Sequence, residues 1–298
     1  MVRQYKIHTN LDGTGDKVWD VTNGKVRFYQ PSNLGLQSTN NIWQSNGIGV
    51  MGTRSITQPQ IEFKLETFGE SLEENYQLMK DFINDILNQK FVTLEYQTEI
   101  FQVYADLALA DVTKTEGYGK NGTFSEKITF DIITKWYTYE NLTFEKIQNG
   151  QVLSGKSKIY GGTAPGSYKY VEGISYTYYG ESDIDRLSRW DIKDEIFSFT
   201  GILYPQLPKT PTGVRFLDDI GNEYTAIVFK TEQLQNYILI NTDVNDEIYQ
   251  GWNGTTPLNL FPVMDFERYR TRIIEKGQME LINLTKAEFK IKRKADFI

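Results

Sequence analysis

The sequence predicts a mainly β protein in two domains, a mixed N-terminal domain with one main helix followed by an all-β domain. Three observations carry this. Phe, Trp and Tyr make up 14% of the 298 residues, including 19 tyrosines and 17 phenylalanines, and aromatic side chains favour strands. Apolar and polar residues alternate in several short runs, the mark of a half-buried strand. A single segment repeats its apolar residues with helical period.

The first domain is assigned to residues 1–140. Trp19–Thr22, Asn23-Gly24 and Lys25–Phe28 have the form of a hairpin with a two-residue turn. Residues 34–53 are rich in Gly, Asn and Ser and predict a long loop around Ile42 and Trp43. Ile61, Phe63 and Leu65 alternate with Glu62, Lys64 and Glu66, which predicts a strand with one buried face. The helix follows at 72–88. Ser71 and Glu74 have capping-box spacing, so each can satisfy a backbone donor left orphaned at the helix start. Leu72, Tyr76, Met79, Ile83 and Ile86, widened by Phe82 and Leu87, form an apolar stripe that lays the helix on a sheet. Strands are expected at 92–96, at 101–105 and from Phe124 to Trp136, where Ile128, Phe130 and Ile132 share a face.

Composition changes at 148–180. Seven glycines and six tyrosines (Tyr160, Tyr168, Tyr170, Tyr176, Tyr178, Tyr179) fall there, with Glu172 the only acid. Glycine and serine suit a linker, but amphipathic rings of low conformational entropy suit a binding surface, so the segment reads as an ordered projection. Beyond 196, Phe197–Leu203, Val214–Leu217, Glu223–Phe229, Tyr237–Asn241 and Met279–Leu284 are short runs punctuated by prolines, the spacing of a sandwich. In the tail, Phe289 and Ile291 alternate with Lys290 and Lys292, predicting a last strand with a basic outer face.

Several chemistries are excluded. The chain has no cysteine and one histidine, His8, so thiol nucleophiles, disulfides, iron–sulfur clusters and Cys/His zinc sites are absent. A Ser-His-Asp triad would have to use His8, close to the N-terminus. The formal net charge of −7 argues against nucleic acid as a partner, because phosphate binding needs a basic field. No apolar run approaches the roughly 20 residues of a membrane span, and no signal-peptide core is seen, so the expectation is a soluble protein made in a cytoplasm. Four Asn-x-Thr sequons, at Asn121, Asn141, Asn253 and Asn283, then read as chance matches.

Two motifs match nucleotide patterns by letter only. Gly150 to Ser157 fits the phosphate loop, but Gly161, Gly162 and Pro165 forbid the helix that must leave it. Gly47, Gly49 and Gly52 fit the dinucleotide pattern but precede a strand. Asp243-Val244-Asn245-Asp246-Glu247 opens like a calcium loop, yet Ile248 stands where the turning glycine belongs. The acid pairs Asp183/Asp185 and Asp191/Asp194 suit a solvated face. A two-carboxylate glycosidase needs no fixed spacing and stays open on these grounds, as does a sugar-stacking role for Trp252 beside Asn253.

The stretch Gln60–Gly69, the helix residues Tyr76–Ile83 and the strand Lys127–Tyr137 occur in the order strand, capped helix, strand pair, long strand ending in aromatics. That order resembles the distal tail (Dit) proteins of siphophages infecting Gram-positive bacteria, most closely the baseplate members from lactococcal phages, over most of the chain. The resemblance implies an N-terminal belt domain that forms a homohexameric ring, and a galectin-like β-sandwich at 141–298 with an arm-like extension at about 145–200. It implies a position in the virion at the distal tail tip, between the tail tube protein and the tail-associated tip protein, with trimeric receptor-binding proteins held by the arm. The expected docking residues on that arm are Tyr160, Tyr168, Tyr170, Tyr176, Tyr178 and Tyr179. No catalysis, cofactor, metal, nucleic acid or membrane insertion is implied; edge strands offered from copy to copy would close the ring. The alternative is a carbohydrate-binding module contacting host cell-wall saccharide. The histidine on which a galectin sugar site relies is missing from the C-terminal region.

Overall fold

The computed structural model describes residues 3–13, 15–35, 37–57, 60–114, 123–145, 147–148, 151–152 and 189–295. The chain divides into two units, Met1–Thr138 with Ala295–Ile298, and Tyr139–Lys294. Each has its own apolar core.

The strands of the first unit are β1 (Gln4–His8), β2 (Val18–Asp20), β3 (Val26–Ser32), β4 (Gln37–Ser45), β5 (Ile48–Thr57), β6 (Ile61–Thr67), β7 (Val92–Gln97), β8 (Gln102–Thr113) and β9 (Ser125–Ile132), with helix α1 at Leu72–Leu87 between β6 and β7. Strand β10 (Tyr137–Glu145) begins here, with Tyr137 opposite Tyr104. Seven strands form one antiparallel sheet in the order β2-β1-β7-β8-β9-β6-β3. Its two ends meet at Val21, which is fully buried. The Val21 N–H donates to Tyr5 O on β1 (3.2 Å), and its carbonyl accepts from Phe28 N on β3 (2.7 Å). The curled sheet therefore has little free edge to offer a neighbour there.

The alternation in β6 works as expected, burying Ile61, Phe63 and Leu65. Phe63 and Phe28 stack at 4.6 Å, and Phe82 from α1 meets Phe28 and Trp19 edge-on. At the helix start Ser71 Oγ accepts Glu74 N–H (3.1 Å), while Glu74 reaches back one residue further than a capping box, to Glu70 N–H (2.7 Å).

The two Asn-Gly dipeptides exchange the roles expected of them. Asn23-Gly24 is no hairpin turn: β2 pairs with β1 and β3 with β6. The reason is Asp20, whose carboxylate accepts from Thr22 and Asn23 N–H (2.9 and 2.8 Å) and bends the chain locally. Asn46-Gly47 does make a hairpin. Both residues have positive φ, 52° and 80°, as the mirror-image two-residue turn requires. The expected loop is thus the antiparallel pair β4–β5, in register from Ser45↔Ile48 to Gln37↔Thr57.

The second unit contains β11 (Ile147–Gln148), β12 (Gln151–Val152), β13 (Arg189–Ile192), β14 (Ile196–Pro205), β15 (Thr212–Leu217), β16 (Glu223–Phe229), β17 (Tyr237–Asn241), β18 (Ile248–Trp252), β19 (Pro257–Asn259), β20 (Gly277–Ile282) and β21 (Leu284–Lys294). One sheet runs β19-β18-β17-β14-β21-β10 and the other β13-β20-β15-β16. Phe199, Leu203, Ile238, Ile240, Phe289 and Ile291 from the first face Val214, Phe216, Ile227, Phe229, Met279 and Leu281 from the second, forming one core and hence a sandwich. The tail strand departs from expectation at Lys292. Lys292 lies opposite Ser198, and it is buried and ion-paired with Asp243 at 3.0 Å instead of facing solvent.

Candidate interaction surfaces

Among the described residues, the histidine and the buried acids are engaged in structural contacts. His8 is buried on β1, with Nδ1 2.7 Å from Asp16 Oδ2 and Nε2 2.9 Å from Glu95 Oε2. Both ring nitrogens are taken by carboxylates, which leaves none to activate a serine. Burial alone would raise the Glu95 carboxyl, but hydrogen bonds from Lys6 and His8 hold it below its usual range. In the second unit, burial likewise pushes Glu223 upward and is outweighed by the Arg268 fork (2.8 and 2.6 Å) and by Arg215, so its pKa is lowered. Tyr224 is pushed up to about 12 by burial. A shallow pocket of about 270 Å³ on β3, β6 and β9 is lined by Glu62, Lys64, Glu126 and Lys127. Lys127 pairs with Glu62 and Lys64 with Glu66 (2.8 and 2.6 Å).

The calcium-like loop is also used up. Asp243 faces Lys292, and its Oδ1 accepts Asn245 N–H at 3.0 Å. Among the described residues no cluster of three or more His, Cys, Asp or Glu could hold a metal ion. Asp194 lies 3.6 Å from Arg293, and Asp191 accepts from Gln278. Apart from Gln151 and Val152, which form β12, the phosphate-loop match lies outside the described residues, as do the pair Asp183/Asp185 and all six candidate docking residues, Tyr160, Tyr168, Tyr170, Tyr176, Tyr178 and Tyr179.

The candidate surfaces are apolar and exposed. On the β4–β5 hairpin, Trp43, Ile48 and Val50 lie on one face, and Ile42 and Met51 on the other. Exposure is 68% for Trp43, 70% for Ile48 and 53% for Ile42. The glycines of the supposed dinucleotide motif serve this geometry: Gly47 makes the turn, Gly49 leaves room for Ile42 and Gly52 for the Trp43 indole, 3.1 Å from where a Cβ would stand. Among the described residues neither outer edge of the hairpin pairs with another strand. A two-stranded ribbon is marginal on its own in water, and one that is apolar on both faces needs cover on both.

On the outward face of the six-stranded sheet, Trp252 on β18 stacks on Tyr237 on β17 (5.8 Å). Tyr237 neighbours Tyr204 on β14 (6.4 Å), and Lys286 on β21 lies over Tyr204 (5.4 Å). The row is half-buried. Trp252 is thus a cross-strand packing aromatic on an outer face, and its strand was not legible in the sequence because Gly251 and Asn253 flank it like turn residues.

Comparison with known proteins follows the same division. The model of the distal tail protein N-terminal domain matches residues 4–133, and that of the Dit C-terminal domain matches 135–298. The chain is 92% identical to the distal tail protein of Lactococcus phage p2 and 90% identical to that of Lactococcus phage SK1, over all 298 residues and the full length of both relatives. It is similar to a chain in the structure of the phage P2 baseplate in its activated conformation with Ca (TM-score 0.79, 92% identity, full coverage of both chains). The SPP1 Dit protein, at 9% identity, shares the fold (TM-score 0.53, 98% of this chain and 99% of that one).

Proposed function

The chain belongs to the distal tail protein family, and on that premise we propose that it is the hub of the tail tip, closing into a homohexameric ring between the tail tube protein and the tail-associated tip protein. It is a structural, non-enzymatic component of the virion baseplate. The observation that carries the ring is the β4–β5 hairpin, whose exposed apolar residues lie on both faces. Such a ribbon costs solubility unless neighbours cover it. Ring closure then runs through the hairpin, since the ends of the curled sheet already meet at Val21. Light scattering tests this: a mass near six times 34.5 kDa is expected, and Trp43→Glu should reduce it to monomer. A stable wild-type monomer at high concentration overturns the ring.

The segment at about 145–200 serves as the arm that anchors trimeric receptor-binding proteins, with the six tyrosines between 160 and 179 as its docking surface. Tyrosine supplies large contact area at low entropic cost. Deleting 150–195 should leave the ring intact and abolish attachment of the receptor-binding protein; attachment that survives removes the assignment.

A second reading, a saccharide-contacting face, is favoured by the row Trp252–Tyr237–Tyr204, because aromatic faces suit sugar rings. Binding of host cell-wall saccharide that is lost in Trp252→Ala would support it, and absence of wild-type binding would remove it.

A further inference from the structure

Asn-Gly dipeptides occur at Asn23, Asn46, Asn121, Asn149 and Asn253, and those at 23, 46 and 253 lie among the described residues. Asparagine is a thermolabile residue, and a glycine after it leaves the next backbone nitrogen unshielded, because no Cβ stands in the way. The three sites differ in what holds that nitrogen. At the first, Gly24 N–H donates to Asp20 O (3.0 Å), Asn23 N–H to Asp20 Oδ1 (2.8 Å) and Arg27 Nε to Gly24 O (2.8 Å). At the second, Asn46 and Gly47 are exposed beyond the last pair of the hairpin, Ser45↔Ile48. Among the described residues no hydrogen bond holds the Asn46 side chain or the Gly47 N–H. The ribbon that carries them has unpaired outer edges among the described residues, and exposed segments with few buried contacts open locally at low cost. Asn253-Gly254 is exposed and unbonded in the same way, in the bend between Trp252 and Pro257.

We propose that Asn46-Gly47 is a site of spontaneous covalent modification, a deamidation that ages the tip of the β4–β5 hairpin. The Gly47 nitrogen attacks Asn46 Cγ. The N–Cγ bond forms, the Cγ–Nδ2 bond breaks, and Nδ2 leaves as ammonia with the proton given up by the Gly47 amide. Water then opens the resulting succinimide at either carbonyl, to aspartate or to β-linked isoaspartate. One water is consumed for each ammonia released, and nothing is oxidised. The two products act differently on the turn. Aspartate before glycine still suits a two-residue hairpin, but it adds a negative charge to a ribbon whose one charged side chain over 37–57 is Arg54. Isoaspartate routes the main chain through its side-chain methylene and lengthens the turn, and turn length sets the register of Ser45↔Ile48. The chemistry of the site stands by itself; its effect on assembly rests on the ring reading. A modified chain offers its neighbours a misregistered hairpin, and a ring that covers the hairpin protects the copies already in it.

Ageing the purified full-length chain at mildly alkaline pH tests this, with peptide mapping for the amide-to-acid mass gain and enzymatic methylation for isoaspartate. Asn46 should convert about tenfold or more faster than Asn23, where two backbone hydrogen bonds must open first, and Asn253 should convert as well. Aged chains should assemble less by light scattering, whereas aged Asn46→Gln, whose longer side chain disfavours ring closure, should keep its assembly. An Asn46 that converts no faster than Asn23 overturns the modification site and leaves the ring reading untouched. Full conversion at 46 with assembly unchanged supports the site and removes the hairpin from ring closure. Equal loss of assembly in aged wild type and aged Asn46→Gln overturns the link between this site and assembly.

Discussion

Strand β6 and the β4–β5 hairpin are four residues apart and use apolar residues in opposite ways. In β6, Ile61, Phe63 and Leu65 point one way and are wholly buried, while Glu62, Lys64 and Glu66 point the other. In the hairpin, Trp43, Ile48 and Val50 occupy one face and Ile42 and Met51 the other, all exposed. One-sided alternation is satisfied by a domain's own core. Two-sided apolarity is satisfied only between surfaces, so β6 serves the stability of the chain, and association is the role proposed for the hairpin.

That contrast breaks most visibly under truncation. Phe63→Ala, at a fully buried ring, should cost about 3–5 kcal/mol in denaturant unfolding, as large-to-small core changes do. Trp43→Ala should cost less than about 0.5 kcal/mol in the monomer, as exposed changes do, while impairing assembly. Equal losses would remove the distinction. A finer cut separates the two Asn-Gly turns. A Cβ on Gly24 would stand 2.3 Å from Asp20 O, so Gly24→Ala should lower the stability of the sheet by about 1–3 kcal/mol. Gly47, at φ +80° with open space around it, should on changing to Ala strain the hairpin turn by about 1 kcal/mol and weaken assembly while leaving the sheet's unfolding midpoint in place.

The smallest effect is with pH. The lowered pKa of Glu95 adds stability to the sheet that is fully present above the ordinary carboxylate value and is lost as pH falls through the lower, folded one. The melting temperature of the wild type should therefore drop in acid below about pH 4.5, and that of Glu95→Gln should start lower and drop less. Residues 37–57 contain no acid and no histidine, so the hairpin contributes nothing to this titration. Parallel acid curves for the two proteins would argue against the Lys6–Glu95–His8 cluster as a stabilising contact.

Much of the fold was legible. The strands β6, β14 to β17 and β21, the bounds of α1 and the cap at Ser71 follow from period and capping chemistry, because those signals are local. What was illegible depended on distant partners. The hairpin hid because its two faces are both apolar and its glycines make room for Ile42 and Trp43, which erases alternation and imitates a loop. Lys292 is buried against Asp243, 49 residues away, a partner that no neighbour in sequence announces. The helix stripe was read as a single buried face, yet Leu72, Tyr76 and Leu87 on it are exposed. For the hairpin and these helix residues, the sequence signal was present and its destination was not.

The sequence by itself determined the class, mainly β with one helix, and the exclusion of thiol, disulfide and zinc chemistry, since composition and period need no partner to be read. It also carried the order of elements on which the family resemblance rests. Only the tertiary structure decided which apolar residues each unit consumes and which it leaves over. Burial is a property of pairs of surfaces, so the exposed sides of β4–β5 and α1 become visible only in the folded chain.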